Sequence, residues 1–276
     1  MAFARDKFWM FGVRAHQDDI HLGRSRLEPH RKRSRITPAE GAAMLDIPNM
    51  LMIGCQGQPV PYSEDAYGYA DSFVRMNKVM WGASGSSGFR IGNEEKFICD
   101  LAEKYPNITG AFLDDLFHHF RGDPDANEKM KAMLHEIRTG LDKACRPMEM
   151  YMVWYIHELD QLDPNSLEDL DGITIWTKQS EELIYLEERF EKLEKIYAGK
   201  KIMLGVYMFD FFDPIIAHPI RNELMEVQCE LALRLLKEGR IAGIIFEANS
   251  VMGVGLESEK WLREWIDKVK YTEVPD

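Results

Sequence analysis

The chain has 276 residues, 45% of them hydrophobic, enough for one large α/β domain or two small ones with a sizeable core. Its formal charge of −12 argues against general nucleic-acid binding, which wants a basic face, and reads as a solvated acidic surface. The four cysteines (Cys55, Cys99, Cys145, Cys229) are far apart with no CxxC pair, no apolar run reaches the length of a membrane span, and Met1–Lys7 lacks a signal peptide's apolar segment. These features suggest neither a disulfide framework nor a zinc site and point to no membrane partner, and they lead to the expectation of a cytoplasmic protein.

In chain order, residues 8–13 (Phe-Trp-Met-Phe-Gly-Val) read as a first strand, followed by His16, Gln17, Asp18 and Asp19. After a long polar segment, Thr37-Pro38-Ala39-Glu40 has the form of a helix start, with Thr37 as N-cap, Pro38 as first helical residue and Glu40 as reciprocal capping partner. Residues 49–54 form strand two. A helix near residues 69–76 precedes strand three at 78–83, and a helix over 93–105 precedes strand four. That strand, Ile108-Thr109-Gly110-Ala111-Phe112-Leu113, stops abruptly at Asp114-Asp115.

The second half repeats the pattern. Met130, Met133, Leu134, Ile137 and Leu141 place an amphipathic helix over 127–144. Strand five (149–155) ends in Ile156-His157-Glu158, and a short connection over 164–170 leads to strand six (172–176). A helix over 181–197 with Gly199 as C-cap leads to strand seven (201–208), which ends at Phe209-Asp210. A helix over 221–237, stopped by Gly239, leads to strand eight (241–246), which ends at Glu247, and a last helix covers 258–270. Its Trp261 and Trp265, four apart, are packing residues.

Eight alternations of strand and helix, with no linker tract between halves, specify a parallel sheet with right-handed crossovers. The expected fold is a single (β/α)8 TIM barrel domain over residues 1–276, since such a barrel needs about 250 residues. The rival doubly wound sheet would show a glycine-rich phosphate loop after strand one, and Gly12-Val13-Arg14-Ala15-His16 is not that motif.

In such a barrel the residues beyond each strand's C-terminal end converge on one mouth. The candidates by strand are His16, Asp18 and Asp19; Cys55 and Gln56; Trp81; Asp114 and Asp115; Tyr155, His157 and Glu158; Trp176 and Lys178; Tyr207, Asp210 and Asp213; Glu247 and Asn249. Carboxylates mixed with Trp and Tyr suit a carbohydrate, whose hydroxyls want acceptors and whose C–H faces stack on rings. Carboxylate pairs also cleave glycosidic bonds. Asp114, Asp115, Asp210 and Glu247 are the catalytic candidates, with Asp115 paired to Asp210. His16, Asp18, Arg24, Arg26, Trp81, Tyr155, His157, Glu158, Trp176 and Tyr207 are the substrate-binding candidates. Neighbours in a regular strand point to opposite sides, so only one of Asp114 and Asp115 is expected to face the axis. For each carboxylate the alternative is a cap, an ion pair or a loop tether.

This placement resembles the large glycoside hydrolase superfamily of (β/α)8 barrels, in which the acid/base ends strand four and the nucleophile ends strand seven. That superfamily carries glutamate at both positions, usually with Asn before the first, where this chain has Leu113-Asp114-Asp115 and Phe209-Asp210. The chain also looks broadly like bacterial TIM-barrel proteins with an Asp-Asp-aromatic strand end, a likeness that supplies no reaction. The resemblance implies a glycosidase-like hydrolase acting on a small-molecule or oligosaccharide substrate, with no cofactor.

Two alternatives stay open. His16 and Asp18 form a His-x-Asp variant of the His-x-His of metal-dependent hydrolase barrels, and with the strand-four pair Asp114-Asp115 could serve a metal-dependent hydrolase or isomerase, its cluster extended by His157, Glu247 or His118-His119. That family's histidine after strand six is absent, where Trp176-Thr177-Lys178 stands. A non-catalytic carbohydrate-binding barrel is the other alternative. The basic segment over 21–35 (Arg24, Arg26, Arg31, Lys32, Arg33, Arg35) reads as a surface loop paired with the protein's own acids, or as a clamp for an anionic substrate group. The glycine- and serine-rich stretch over 82–88 reads as a lid or linker.

Overall fold

The computed structural model describes residues 1–26, 32–161, 163–197 and 199–276. Eight strands, β1 (Phe8–Gly12), β2 (Asn49–Met52), β3 (Lys78–Ser84), β4 (Ile108–Leu113), β5 (Glu149–Tyr155), β6 (Gly172–Trp176), β7 (Lys201–Tyr207) and β8 (Gly243–Glu247), pair in parallel in chain order. The barrel closes where Glu247 of β8 lies opposite Phe11 of β1 on one side and Tyr207 of β7 on the other. The expected (β/α)8 barrel is the fold observed.

The strands are nearly continuous apolar runs because both of their faces are covered. Alternation along each strand then sorts side chains between barrel interior and helix layer. In β1, Trp9 and Phe11 face inward, whereas Phe8 turns out against Phe246 (ring centroids 5.3 Å apart) and Trp265 (6.3 Å). The outer layer comprises α1 (Pro38–Met44), α2 (Glu64–Ser72), α3 (Glu94–Lys104), α4 (Ala126–Leu141), α5 (Leu186–Ile196), α6 (Asn222–Lys237) and α7 (Glu257–Val269). None of the described helices is long and apolar enough to cross a membrane.

Local signals account for most helix starts. The Thr37 hydroxyl accepts from the Glu40 N–H, and the Glu40 carboxylate accepts from the Thr37 N–H at 2.9 Å, closing the expected capping box. Helix α2 starts earlier than expected because the Ser63 hydroxyl caps it, accepting from the Ala66 N–H at 3.1 Å. The helix expected over 181–197 opens as a 3-10 segment, Ser180–Tyr185, before α5. Between β5 and β6 the connection is two 3-10 segments, Ile156–Gln161 and Pro164–Leu167.

Gly205 in β7 is a close-approach glycine. A Cβ there would lie 2.1 Å from Cδ2 of the Trp176 indole, which crosses the strand at that point. Gly205→Ala should therefore displace Trp176 and lower stability by about 1–3 kcal/mol. Denaturant unfolding with tryptophan fluorescence checks both effects; an unchanged midpoint and spectrum would refute this account of the packing.

Candidate functional site

At the C-terminal mouth lies a cavity of about 280 Å³ lined by Asp18, Asp114, Asp115 and Glu247, with Cys55, Ser86 and His21, and walled by Phe11, Tyr155, Trp176, Tyr207, Phe211 and Phe212. Four carboxyl groups from three strand ends meet in it. The joint facing of Asp114 and Asp115 departs from the regular-strand expectation. β4 ends at Leu113, and Asp115 takes a left-handed conformation (φ 49°, ψ 22°), which breaks the alternation and lets both side chains reach the cavity.

The four acids have different surroundings. Asp115 accepts a hydrogen bond from the Tyr155 hydroxyl at 2.9 Å and from the Ser87 N–H at 3.1 Å. Burial, together with the charge of Asp115, holds the Tyr155 phenol well above its ordinary range, so it remains a donor. Asp114 is 7% exposed, and its carboxyl has no hydrogen-bond partner among the described residues; burial and the neighbouring Asp115 charge push it well up. Glu247 is pushed well up by burial and by the charges of Asp18, Asp114 and Asp115, against a smaller pull from the nearby Tyr207 hydroxyl. Asp18 is raised by burial, although the Ser250 hydroxyl donates to it. The Cys55 thiol is pushed well up by burial and by Asp114 and Asp18, so it stays protonated rather than serving as a nucleophile.

Behind Asp115, the His118 ring stacks on Tyr155 (centroids 5.3 Å apart, planes 7° apart). Its Nδ1 is 3.6 Å from Asp115 and its Nε2 3.5 Å from Glu158. Glu158 is buried; burial opposes its charge, but His118, Arg121 and His157 outweigh that and hold its carboxyl below the ordinary range. The stretch expected to be a lid or linker is a built wall: Ser86 lines the cavity and Ser87 holds Asp115. A Cβ on Gly88 (φ 71°) would come within 2.9 Å of the Asp115 carbonyl oxygen.

Several candidates lie elsewhere. Asp210 does not line the cavity; its two oxygens accept the Ser180 and Phe212 N–H groups at 2.8 and 2.9 Å, so it tethers the loop and does not face Asp115. Trp81 alternates with the inward Met80 and packs outward against Phe97 and Phe73. His16 is half exposed, 3.1 Å from Asp19, on a separate groove with Arg14. His157 and Glu158 belong to the layer behind the wall. Arg24 is exposed and away from the cavity, and Arg26 pairs with both oxygens of Asp213 at 2.7 and 2.8 Å. Asp213 is held down to about 2, chiefly by the Ile216 and Ile215 N–H groups and then by Arg26. Arg31 lies outside the described residues. Asn249 ties β8 to Val13 and Ile36. Among the described residues, no group of three or more His, Cys, Asp or Glu side chains is gathered so as to hold a metal ion. The sequence reading missed Phe11, His21, Ser86, Phe211 and Phe212 as lining residues. The aromatic run Phe209-Asp210-Phe211-Phe212 beyond strand seven was the available signal.

A carboxyl raised on folding binds protons that the unfolded chain has released, so stability is present below the unfolded value and lost as pH rises through the folded one. Asp114, Glu247 and Asp18 all carry this sign. The melting temperature should fall as pH rises above the ordinary carboxylate range. Asp114→Asn and Glu247→Gln should each flatten that slope and raise the melting temperature at neutral pH by about 2–4 °C. Thermal melts across this range decide it, and slopes identical to wild type would sink the account.

No protein-family model matches the chain, and no curated protein matches it. Solved structures do match in fold. The GH99 endo-α-mannosidase of Bacteroides thetaiotaomicron superposes with a TM-score of 0.60 over 96% of this chain and 97% of its own, at 12% identity. A GH5_18 protein of Bifidobacterium longum subsp. infantis gives 0.57 over 96% and 80%, at 11% identity. A GH113 β-1,4-mannanase gives 0.55 over 97% and 99%, at 9% identity. The chain is thus a (β/α)8 barrel similar in fold, and distantly, to glycoside hydrolase barrels.

Proposed function

We propose that this protein is a glycosidase-like hydrolase acting on a saccharide or glycoconjugate, with Asp115 and Glu247 as its working carboxyl pair. The observation that carries this reading is the contrast between two acids lining one cavity. Asp115 accepts hydrogen bonds from Tyr155 and Ser87, whereas Glu247, half-buried at the end of β8, has its carboxyl pushed well up by burial and by the charges of Asp18, Asp114 and Asp115. Acids with such divided environments take the two roles that glycoside cleavage needs. Glu247 delivers its proton to the departing glycosidic oxygen as the C–O bond breaks. Asp115 attacks the anomeric carbon or takes the proton of an attacking water, and water supplies the hydroxyl of the released sugar. The aromatic wall supplies apolar faces for a pyranose ring, and the cavity, near the lower end of the roughly 300–1,000 Å³ usual for ligand pockets, suits one sugar unit at a time. Two of the fold neighbours, an endo-α-mannosidase and a β-1,4-mannanase, are enzymes of the same class, which supports the reading.

Asp114 and Asp18 complete the acidic lining and add to the burial that pushes the Glu247 carboxyl up. Asp210 enters only through the loop it tethers. Turnover should therefore be lost as pH rises through the raised range of Glu247. Asp115→Asn keeps a residue suited to the left-handed backbone and should lower kcat by about 10³-fold while leaving sugar binding intact. Glu247→Gln should depress hydrolysis of alkyl glycosides far more than that of nitrophenyl glycosides, whose leaving group needs little protonation. Kinetics on a panel of nitrophenyl and methyl glycosides test this. Full activity in Asp115→Asn, or no turnover of any glycoside by the wild type, overturns the assignment.

A further inference from the structure

Building on the reading of the cavity as a saccharide site, we propose that its ligand carries a positive charge, a protonated amino group such as that of an amino sugar, seated among Asp18, Asp114, Asp115 and Glu247. Three observations lead there. The described lining contains four carboxyl groups and no Lys or Arg; its only basic side chain is His21. The arginines expected to clamp an anion do not line it: Arg24 is exposed and Arg26 is engaged by Asp213. Asp114, 93% buried by complement of its 7% exposure, presents to this cavity a carboxyl group without a hydrogen-bond partner among the described residues. A carboxyl group that the fold gives no donor and that opens onto a cavity keeps its acceptor capacity for a donor from outside.

The walls fit the same ligand. The Lys178 ammonium lies 5.3 Å from the Tyr155 ring centroid and 4.8 Å from that of Phe212, so two of the lining rings already accept a cation. A ligand ammonium offers three donors to a set of acids of which Asp114 has no hydrogen-bond donor of its own among the described residues, and charge-assisted bonds of this kind are about twice as strong as neutral ones. A uronate, sulfate or phosphate would meet four acids against His21 in the lining and Lys178 over the Tyr155 and Phe212 rings, a balance that disfavours anionic sugars. Cation entry also relieves the crowding that pushes Asp114, Glu247 and Asp18 up, so binding should release protons. The other titratable groups that face the ligand are Asp115, His21, Cys55, Tyr155 and Tyr207.

The test is calorimetry on the full chain at neutral pH. The probes are glucosamine, galactosamine and mannosamine, each against its parent hexose and its N-acetyl derivative, with glucuronate as the anionic probe. At least one amino sugar should bind ten-fold or more tightly than both neutral counterparts, with glucuronate weakest. Runs in buffers of different ionisation heat should show proton release for the amine alone. The preference should collapse toward unity in Asp114→Asn and, as a second variant, in Asp18→Asn. Equal affinity for the neutral sugars, tighter binding of glucuronate, no binding of any amine, or a preference unchanged in both folded variants would each overturn the proposal. Parallel assays on nitrophenyl glycosides separate it from the hydrolase reading. Amine preference without turnover of any glycoside leaves the cation site and removes the hydrolase. Turnover of neutral glycosides without amine preference does the reverse.

Discussion

Four carboxyl groups in one ring-walled cavity impose the constraint that organises the mouth of this barrel. Each ionisation makes the next less favourable, and burial removes the water that would screen them. The consequence is a division among the four. Asp115 is supplied with donors by Tyr155 and Ser87, while Asp114 and Glu247 face acids and rings. Only a rigid frame can hold such a set together. The closed parallel barrel does so because Glu247, Phe11 and Tyr207 sit at paired positions of adjacent strands.

The frame extends one layer outward. His118 stacks on Tyr155 and lies between Asp115 and the buried Glu158, which Arg121 also engages. The phenol that donates to Asp115 is thereby held in orientation by a ring stacked on it. Preorganised donors of this kind act without reorganisation when charge develops at the site. The left-handed backbone at Asp115 carries a local cost that the surrounding contacts offset, and such strain is found where function requires an exact side-chain position.

The barrel was legible because its signals are local and repeated: apolar runs of strand length, capping residues such as Thr37 and Glu40, and glycines such as Gly199 and Gly239 after helices, both at positive φ. The roles of individual strand-end residues were not. Trp81 and Trp176 are alike in sequence, each a Trp in an apolar strand, yet one faces the helices and the other the cavity, because strand parity decides and it is set by the register of the whole barrel. Asp114 and Asp115 broke the parity argument itself, since a single left-handed residue lies below what a strand pattern reveals.

Asp210 shows the deeper reason. Its position after β7 is the one a catalytic carboxylate would take, and nothing in Phe209-Asp210-Phe211 distinguishes it from Asp114 after β4. What separates them is hydrogen-bond accounting in three dimensions. The oxygens of Asp210 are taken by the Ser180 and Phe212 N–H groups, those of Asp213 by Arg26 and two further N–H groups, and the amide of Asn249 by Val13 and Ile36. These side chains have spent their bonding capacity on the loops that shape the mouth. Asp114 has not, and it faces the cavity. Buried polar capacity left over after the fold has used what it needs is the capacity available to a ligand, and it marks a site more directly than the residue types do.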